Sequence, residues 1–338
     1  MPPSRRVVVW LAPHQTQLVR QIADLAQLQL VGVGTASRGQ GVASELDAPS
    51  HDDLRAALAA TPADLVWIAS PGSFGVSSDD ASALDEAHRR GTRVATLEPI
   101  PASALVLGEP AWNAVIGAGA IRFIPSMRAA PSLRDAAEVV AAFGEITALL
   151  VESLGSPREG TLGARFYAAL DLVLGFLGEP ETIDAAYVSP VPGPALHALP
   201  SESLRDLSGH LTANLRYADG RAAAVAASDH AGRWSRVVTL LGPSGRLRCY
   251  DDGFEWIGPE GERRDQSRST RVRGQEPATP PAAAAIADAL SRMLDPSVPD
   301  VGPGDHATVL AMGQAALLSA RTAQAESPVT IKRMVGTA

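Results

Sequence analysis

A chain of 338 residues exceeds the usual size of one hydrophobic core, so two domains, each with a sizeable core, are the natural expectation. A formal charge of −8 and an isoelectric point near 5.4 exclude the concentrated positive footprint that binding to nucleic acid requires. Hydrophobic residues make up 46% but aromatic ones only 4%, so the cores are expected to be filled by small aliphatic side chains rather than rings.

The single cysteine, Cys249, rules out an intramolecular disulfide and a cysteine-based metal cluster, and it fits a reducing compartment. The apolar run Val7–Leu11 is too short and too poorly flanked for a signal peptide or a membrane span. The expectation is therefore a cytoplasmic protein with no membrane partner.

Over the first 125 residues, short apolar β-rich runs alternate with helical patterns, the signature of a parallel sheet covered on both faces. Val7–Leu11 reads as the first strand, followed by a helix with Leu18, Ile22 and Leu25 on one face and a second strand at Leu28–Gly34. A helix over Asp52–Ala60 leads to a third strand at Asp64–Ala69, which ends at Ser70-Pro71-Gly72. The helix Asp79–Arg90 stops at Gly91, a suitable residue beyond a helix end, and Thr92–Leu97 and Ile121–Pro125 complete the set of strands. Gly117-Ala118-Gly119-Ala120 precedes a strand instead of joining strand to helix, so it reads as a turn and not as a phosphate loop.

From residue 126 the strands become longer and more amphipathic: Ile146–Leu154, Ile183–Val188, Ser208–Tyr217, Ala222–Asp229, Ser235–Gly242 and Arg246–Tyr250. Asp219-Gly220 and Pro243-Ser244-Gly245 are hairpin turns. Helices are expected at Arg165–Leu177, Ala282–Leu294 and Asp305–Ala323, packed on one face of this sheet. Arg263, Arg264, Arg268, Arg271 and Arg273, set among polar residues before the proline-rich 277–281, read as a solvated loop. The fold class is thus α/β: a Rossmann-like doubly wound parallel sheet over 1–125, then an α+β domain over 126–338 with a large, mostly antiparallel sheet.

Several stretches, in order, resemble the glucose-fructose oxidoreductase and inositol dehydrogenase family (Gfo/Idh/MocA), and the resemblance spans nearly the whole chain. Asp64–Pro71 is similar to the family's third strand, and Ala83–Leu97 is similar to the helix and strand leading to its Glu-Lys-Pro. Gly144-Glu145-Ile146 resembles the entry to the C-terminal sheet. Ala169-Leu170-Asp171-Leu172 with Leu177-Gly178-Glu179-Pro180 resembles the helix of the substrate domain, and Tyr217–Gly220 with Leu241–Gly245 resembles its hairpins. The resemblance implies a nucleotide-binding first domain, and a second domain for substrate binding and for homo-oligomer formation through the sheet. Partners on this reading are a small molecule, nucleotide or sugar, and further copies of the chain.

The resemblance also implies a lysine, an aspartate and a histidine beside the reacting carbinol, because a base must take the hydroxyl proton as the hydride leaves. Here the stretch around Glu98 reads Leu97-Glu98-Pro99-Ile100-Pro101, and the only lysine in the chain is Lys332. Ala164 and Ala168 stand where the aspartate and histidine would be. No catalytic residue is therefore assigned, and Arg165 and Tyr167 are the nearest replacements. Arg stays charged and cannot carry the proton, whereas a tyrosine can if its pKa is lowered. Packing is the competing role for Tyr167. The expectation is an oxidoreductase-like protein that has lost hydride transfer and acts as a binding or assembly module. The alternative is a divergent NADP-dependent oxidoreductase acting on a sugar or cyclitol-like substrate.

A Rossmann strand normally passes to its helix through Gly-x-Gly-x-x-Gly, which lets a pyrophosphate reach the backbone amides. In its place stand Leu11, Ala12, Pro13, His14, Gln15, Thr16 and Gln17, with no glycine and with one N–H removed by Pro13. His14 reads either as a compensating donor or as an exposed residue without a role. Ser37 and Arg38, after the second strand, suit a 2′-phosphate and favour NADP over NAD if either binds, and they read equally as a polar loop. Ser70, Pro71 and Glu98 complete the cofactor-side candidates. On the substrate side Arg128 is positioned by the resemblance to hold an anionic group or, alternatively, to form a structural ion pair; Arg165, Tyr167 and Ala168 share that side. The seven histidines show no metal-ligand spacing and no metal is expected, while His210 and His230 are expected at an interface or surface.

Overall fold

The computed structural model describes residues 5–36, 41–190, 199–205, 207–268, 279–298 and 304–336. By contacts the chain forms two compact units. The first is Met1–Pro125 with Ala282–Ala307 and Val335–Thr337, and the second is Ser126–Pro281 with Thr308–Met334.

The first unit begins with β1 (Arg5–Trp10), α1 (Thr16–Ala26), β2 (Leu28–Gly34), α2 (Val42–Glu45) and β3 (Ser50–His51). It continues through α3 (Leu54–Ala60), β4 (Leu65–Ile68), α4 (Ser78–Arg89), β5 (Arg93–Thr96), α5 (Pro110–Gly117) and β6 (Arg122–Phe123). The six strands are all parallel in the order β3-β2-β1-β4-β5-β6, the doubly wound arrangement with its switch point beside β1. Side chains alternate across β1. Val7 and Val9 join Leu11, Val19, Ile22 and Trp67 in one layer, and Val8 and Trp10 join Leu54, Leu58, Leu84 and Trp112 in the other. Both faces being covered explains why the strands read as unbroken apolar runs.

The second unit opens with α6 (Pro131–Asp135) and α7 (Ala137–Phe143), then β7 (Ala148–Leu154), α8 (Leu162–Leu177), β8 (Thr182–Val188), β9 (His210–Arg216) and β10 (Ala222–Ser228). After these come β11 (Ser235–Gly242), β12 (Gly245–Tyr250), β13 (Gly253–Ile257) and β14 (Arg263–Arg268). The eight strands run in the order β14-β13-β12-β11-β7-β10-β9-β8, and only β7 and β10 are parallel neighbours. Helix α8 lies on one face, where Leu149, Val151, Ala223, Val225, Leu211 and Ala213 are buried. Three helices follow in the chain: α9 (Pro281–Leu294), which from Ala282 belongs to the first unit, then α10 (His306–Thr322) and α11 (Pro328–Met334). Among the described residues no helix is long and apolar enough to cross a membrane.

Two expectations are corrected. Helix α9 packs not on the large sheet but on the parallel one, its Ala283, Ile286 and Leu290 meeting the Val7, Val9 and Trp67 layer. Its periodicity fixes an apolar face without naming the sheet that receives it. Arg263, Arg264 and Arg268, expected in a loop, lie in β14, the edge strand paired with β13. Arg271 and Arg273 lie outside the described residues.

Candidate functional site

In the first unit, the region that would serve a nucleotide lies at the carboxyl ends of β1, β2 and β4. The main chain there is tightly tied: Leu11 N–H donates to Gly34 O at 3.0 Å, and Ala69 and Ser70 N–H both donate to Trp10 O, at 2.7 and 3.2 Å. Pro13–Gln15 form a single 3-10 turn leading directly into α1, a placement that suits proline because its φ is preset and its missing N–H has no helical partner to lose. Pro13 and His14 are exposed and Ala12 is half-buried. Gln15 is buried: its Oε1 accepts from Ala12 N–H at 3.0 Å and its Nε2 donates to Ala69 O at 3.3 Å.

Of the other cofactor-side candidates, Ser70 is half-buried, Pro71 is buried and Glu98 is 9% exposed. Glu98 is held by its backbone, which exchanges bonds with the Thr96 hydroxyl: Thr96 Oγ1 donates to Glu98 O at 2.6 Å and accepts from Glu98 N–H at 3.2 Å. Ser37 and Arg38 lie outside the described residues. A dinucleotide is the group this fold implies. The residues present at the β1–α1 turn do not fit its pyrophosphate, since there is no glycine, no N–H on Pro13, and the Ala12 N–H is already taken.

In the second unit, Ala164, Ala168 and Asp171 follow at helical spacings of four and three, which places them on one face of α8. Both alanines are 6% exposed, as is Asp171. Asp171 Oδ2 accepts from Ser126 Oγ and from Arg128 Nε, each at 3.2 Å. Burial pushes the Asp171 carboxyl above the ordinary carboxylate range, against the pull of the Arg128 charge and of both hydrogen bonds. Arg128 thus forms an ion pair within its own unit.

Arg165 is likewise tied up within the second unit. Its guanidinium donates to Leu154 O at 3.0 Å and Ser156 O at 3.2 Å, lies 3.8 Å from Glu159 and stacks 4.9 Å from the Trp234 ring. A Cβ on Gly155 would stand 2.0 Å from this group, so the loop after β7 is built around the arginine. Tyr167 is 4% exposed on α8. The lone lysine, Lys332, is ion-paired with Glu179 at 2.7 Å.

The structure therefore brings together Arg128, Ser126 and Asp171, and it commits Arg165 to the end of β7. Sequence reasoning passed over Gln15, although a glutamine three residues after a helix N-cap, here Ala12, is the pattern that returns a side chain to a backbone amide. It also passed over Asp171, an ionisable group three residues from Ala168 on the same face of α8. His210 and His230 are exposed in the second unit, their ring centroids 6.5 Å apart; His210 shares a hydrogen bond with Ser228 and His230 with Asp229, each at 2.8 Å. Among the described residues no group of three or more His, Cys, Asp or Glu is placed to hold a metal ion.

No protein-family model matches the sequence, and no curated protein matches it. Solved structures do match in three dimensions. Myo-inositol 2-dehydrogenase from Lactobacillus plantarum superposes with a TM-score of 0.67 at 16% identity, over 96% of this chain and 99% of that one. A levoglucosan dehydrogenase in complex with NADH and levoglucosan gives 0.68 at 14%, over 96% and 99%. UDP-N-acetylglucosamine 3-dehydrogenase from Acidithiobacillus ferrooxidans gives 0.64 at 18%, over 94% and 98%. Identities this low, over nearly the whole of both chains, show a common fold, the one expected from the resemblance to sugar and cyclitol oxidoreductases.

Proposed function

We propose that this chain keeps the fold of a sugar or cyclitol oxidoreductase without hydride transfer, and works as a binding or assembly module. The observation that carries the reading is the α8 face: two positions that would handle a proton are the methyl groups of Ala164 and Ala168. Arg165 is committed to the end of β7, and the chain's one lysine, Lys332, is ion-paired with Glu179. Incubating the full chain with NADP+ or NADPH and a panel of aldoses, polyols and cyclitols, with absorbance followed at the nicotinamide band, should give no saturable turnover. Saturable turnover would overturn the reading.

The rival reading is a divergent NADP-dependent oxidoreductase, and one observation favours it. Asp171 sits one helical turn from Ala168, its carboxyl shifted toward the range a general base needs. On that reading any turnover found is expected to disappear in D171N.

The assembly role is read onto the open face of the large sheet, with a second copy of the chain as partner. Register and burial put Leu150, 43% exposed, near its middle; Glu152 and Asp184 lie with Arg216 on the β7 to β8 side, and Arg246 and Arg248 lie on the β12 to β14 side, where Arg263 is paired with Glu255 of its own chain at 3.8 Å. A two-fold axis through such a face sets the arginines of one copy against the carboxylates of the other. Sedimentation should show a dimer that R246E/R248E dissociates and that mixing with E152R/D184R chains restores as a heterodimer. A monomer in the wild type, or a dimer indifferent to these changes, removes this role.

A further inference from the structure

In a glycine-rich turn the amides after the first strand are left bare, and a pyrophosphate oxygen accepts them at the start of the helix. Here the corresponding amide has a resident partner. Ala12 N–H donates to Gln15 Oε1 at 3.0 Å, and the same carboxamide donates through Nε2 to Ala69 O at 3.3 Å, just past the end of β4. Gln15 is 4% exposed; its bond to Ala69 O is buried and the one it accepts from Ala12 is partly buried. Thr16 closes the turn from the other side, its Oγ1 donating to Pro13 O at 2.8 Å.

A carboxamide is chemically suited to this position. It accepts one hydrogen bond as a phosphate oxygen would, and it also donates one to a carbonyl, which a phosphate dianion cannot do. It carries no charge to be desolvated, whereas a buried carboxylate at the same place would. The neighbouring strand ends are close as well: Gly72 has φ +58, and a Cβ there would stand 2.2 Å from the Ala36 Cβ, so the loops that follow β2 and β4 touch beside the turn.

We propose that Gln15 is the built-in occupant of the anion position of this crevice, and that it sets the ligand specificity of the first unit by closing the β1–α1 turn to the pyrophosphate of a dinucleotide. This goes beyond the loss of hydride transfer, because a protein can lose its proton carriers and still hold a nucleotide. Two independent departures, one in each unit, then point the same way.

The test uses the full-length wild-type chain with inorganic pyrophosphate, and separately NADPH, as probes. At millimolar concentration pyrophosphate should leave the melting temperature within about 1 °C, since a site left unfilled contributes no binding linkage. Hydrogen exchange over residues 10–16 should show a protected Ala12 amide whose protection pyrophosphate does not change. In Q15A that amide should exchange at least about tenfold faster, because its buried acceptor is gone. A pyrophosphate-induced rise in the wild-type melting temperature overturns the proposal, and so does an Ala12 amide that exchanges equally fast in the wild type and Q15A. The wild-type measurements stand even if a variant fails to fold. Turnover with NADPH bears on the functional reading instead, while pyrophosphate reports on this turn alone.

Discussion

Asp80 is 1% exposed, yet its carboxyl has four hydrogen-bond donors, Arg55 and the backbone of Gly75, Val76 and Ser77. Burial pushes its carboxyl up, but the hydrogen bond from Arg55 Nε at 2.7 Å and those from the N–H groups of Gly75, Val76 and Ser77 outweigh it and hold the carboxyl below the usual range. Asp171 is the counterpart, raised by burial because Ser126 and Arg128 compensate only in part. The two signs lead to opposite pH effects. For Asp80 the folded pKa lies below the unfolded one, so its contribution is complete above the unfolded value and is lost as pH falls through the folded value. For Asp171 the folded state holds the proton more tightly, so stability is contributed at low pH and lost as pH rises through the raised value. D80N is therefore expected to cost about 2–3 kcal/mol at pH 7, by weakening several charge-assisted bonds, and less near pH 3. D171N should gain on the wild type as pH rises from 3 to 7. Urea denaturation across this range checks both, and parallel pH profiles for the two variants would refute the assignment.

Among the elements, β14 was the hardest to foresee. Arg263–Arg268 has no apolar alternation, and a cluster of arginines ordinarily marks a solvated loop. What makes it a strand is its neighbour. Trp256 on β13 donates from Nε1 to Ser244 O at 3.0 Å, meets the Phe143 ring at a centroid distance of 6.0 Å, and lies under the Arg264 guanidinium at 5.4 Å. Arginine on an edge strand also protects against pairing with another sheet. If Trp256 anchors this end of the sheet, W256A should cost about 2–4 kcal/mol and R264A under about 1 kcal/mol, the difference between a lost ring and a lost half-exposed cation–π contact. Equal losses in guanidinium denaturation would show that the tryptophan does not organise the edge.

At the scale of the whole molecule, the order of elements was legible and the destinations of some were not. Leu28–Gly34 and Ser235–Gly242 were read with their observed bounds, because strands flanked by turn residues announce themselves locally. The same applies to the hairpins at Gly220 and Gly245, both at positive φ. Much of the candidate site is legible only as departure: Ala164, Ala168 and the turn at Ala12 stand out because other residues were expected there. The Gln15 bridge was hidden because its two partners, Ala12 and Ala69, are backbone groups that come together only in the folded sheet.

Helix α9 is the long-range case, and it decides what the first unit needs in order to fold. Ile286 and Leu290 are buried against β1 and β4 from more than 200 positions along the chain, so a fragment ending at Pro125 loses part of the cover of the Val7, Val9 and Trp67 layer and keeps only that from α1 and α2. Each large aliphatic side chain removed from such a layer takes away about 1.5–3 kcal/mol, and a domain is stable by only about 5–15 kcal/mol in all. Residues 1–125 alone are therefore expected to give no cooperative thermal transition, with the near-ultraviolet signal of Trp67 and Trp112 weak or absent. Fusing residues 282–307 behind Pro125 through a flexible linker should restore both. A sharp transition in the short fragment would mean that the parallel sheet closes its core without α9, and that the returning helix is an addition to that unit rather than part of its foundation.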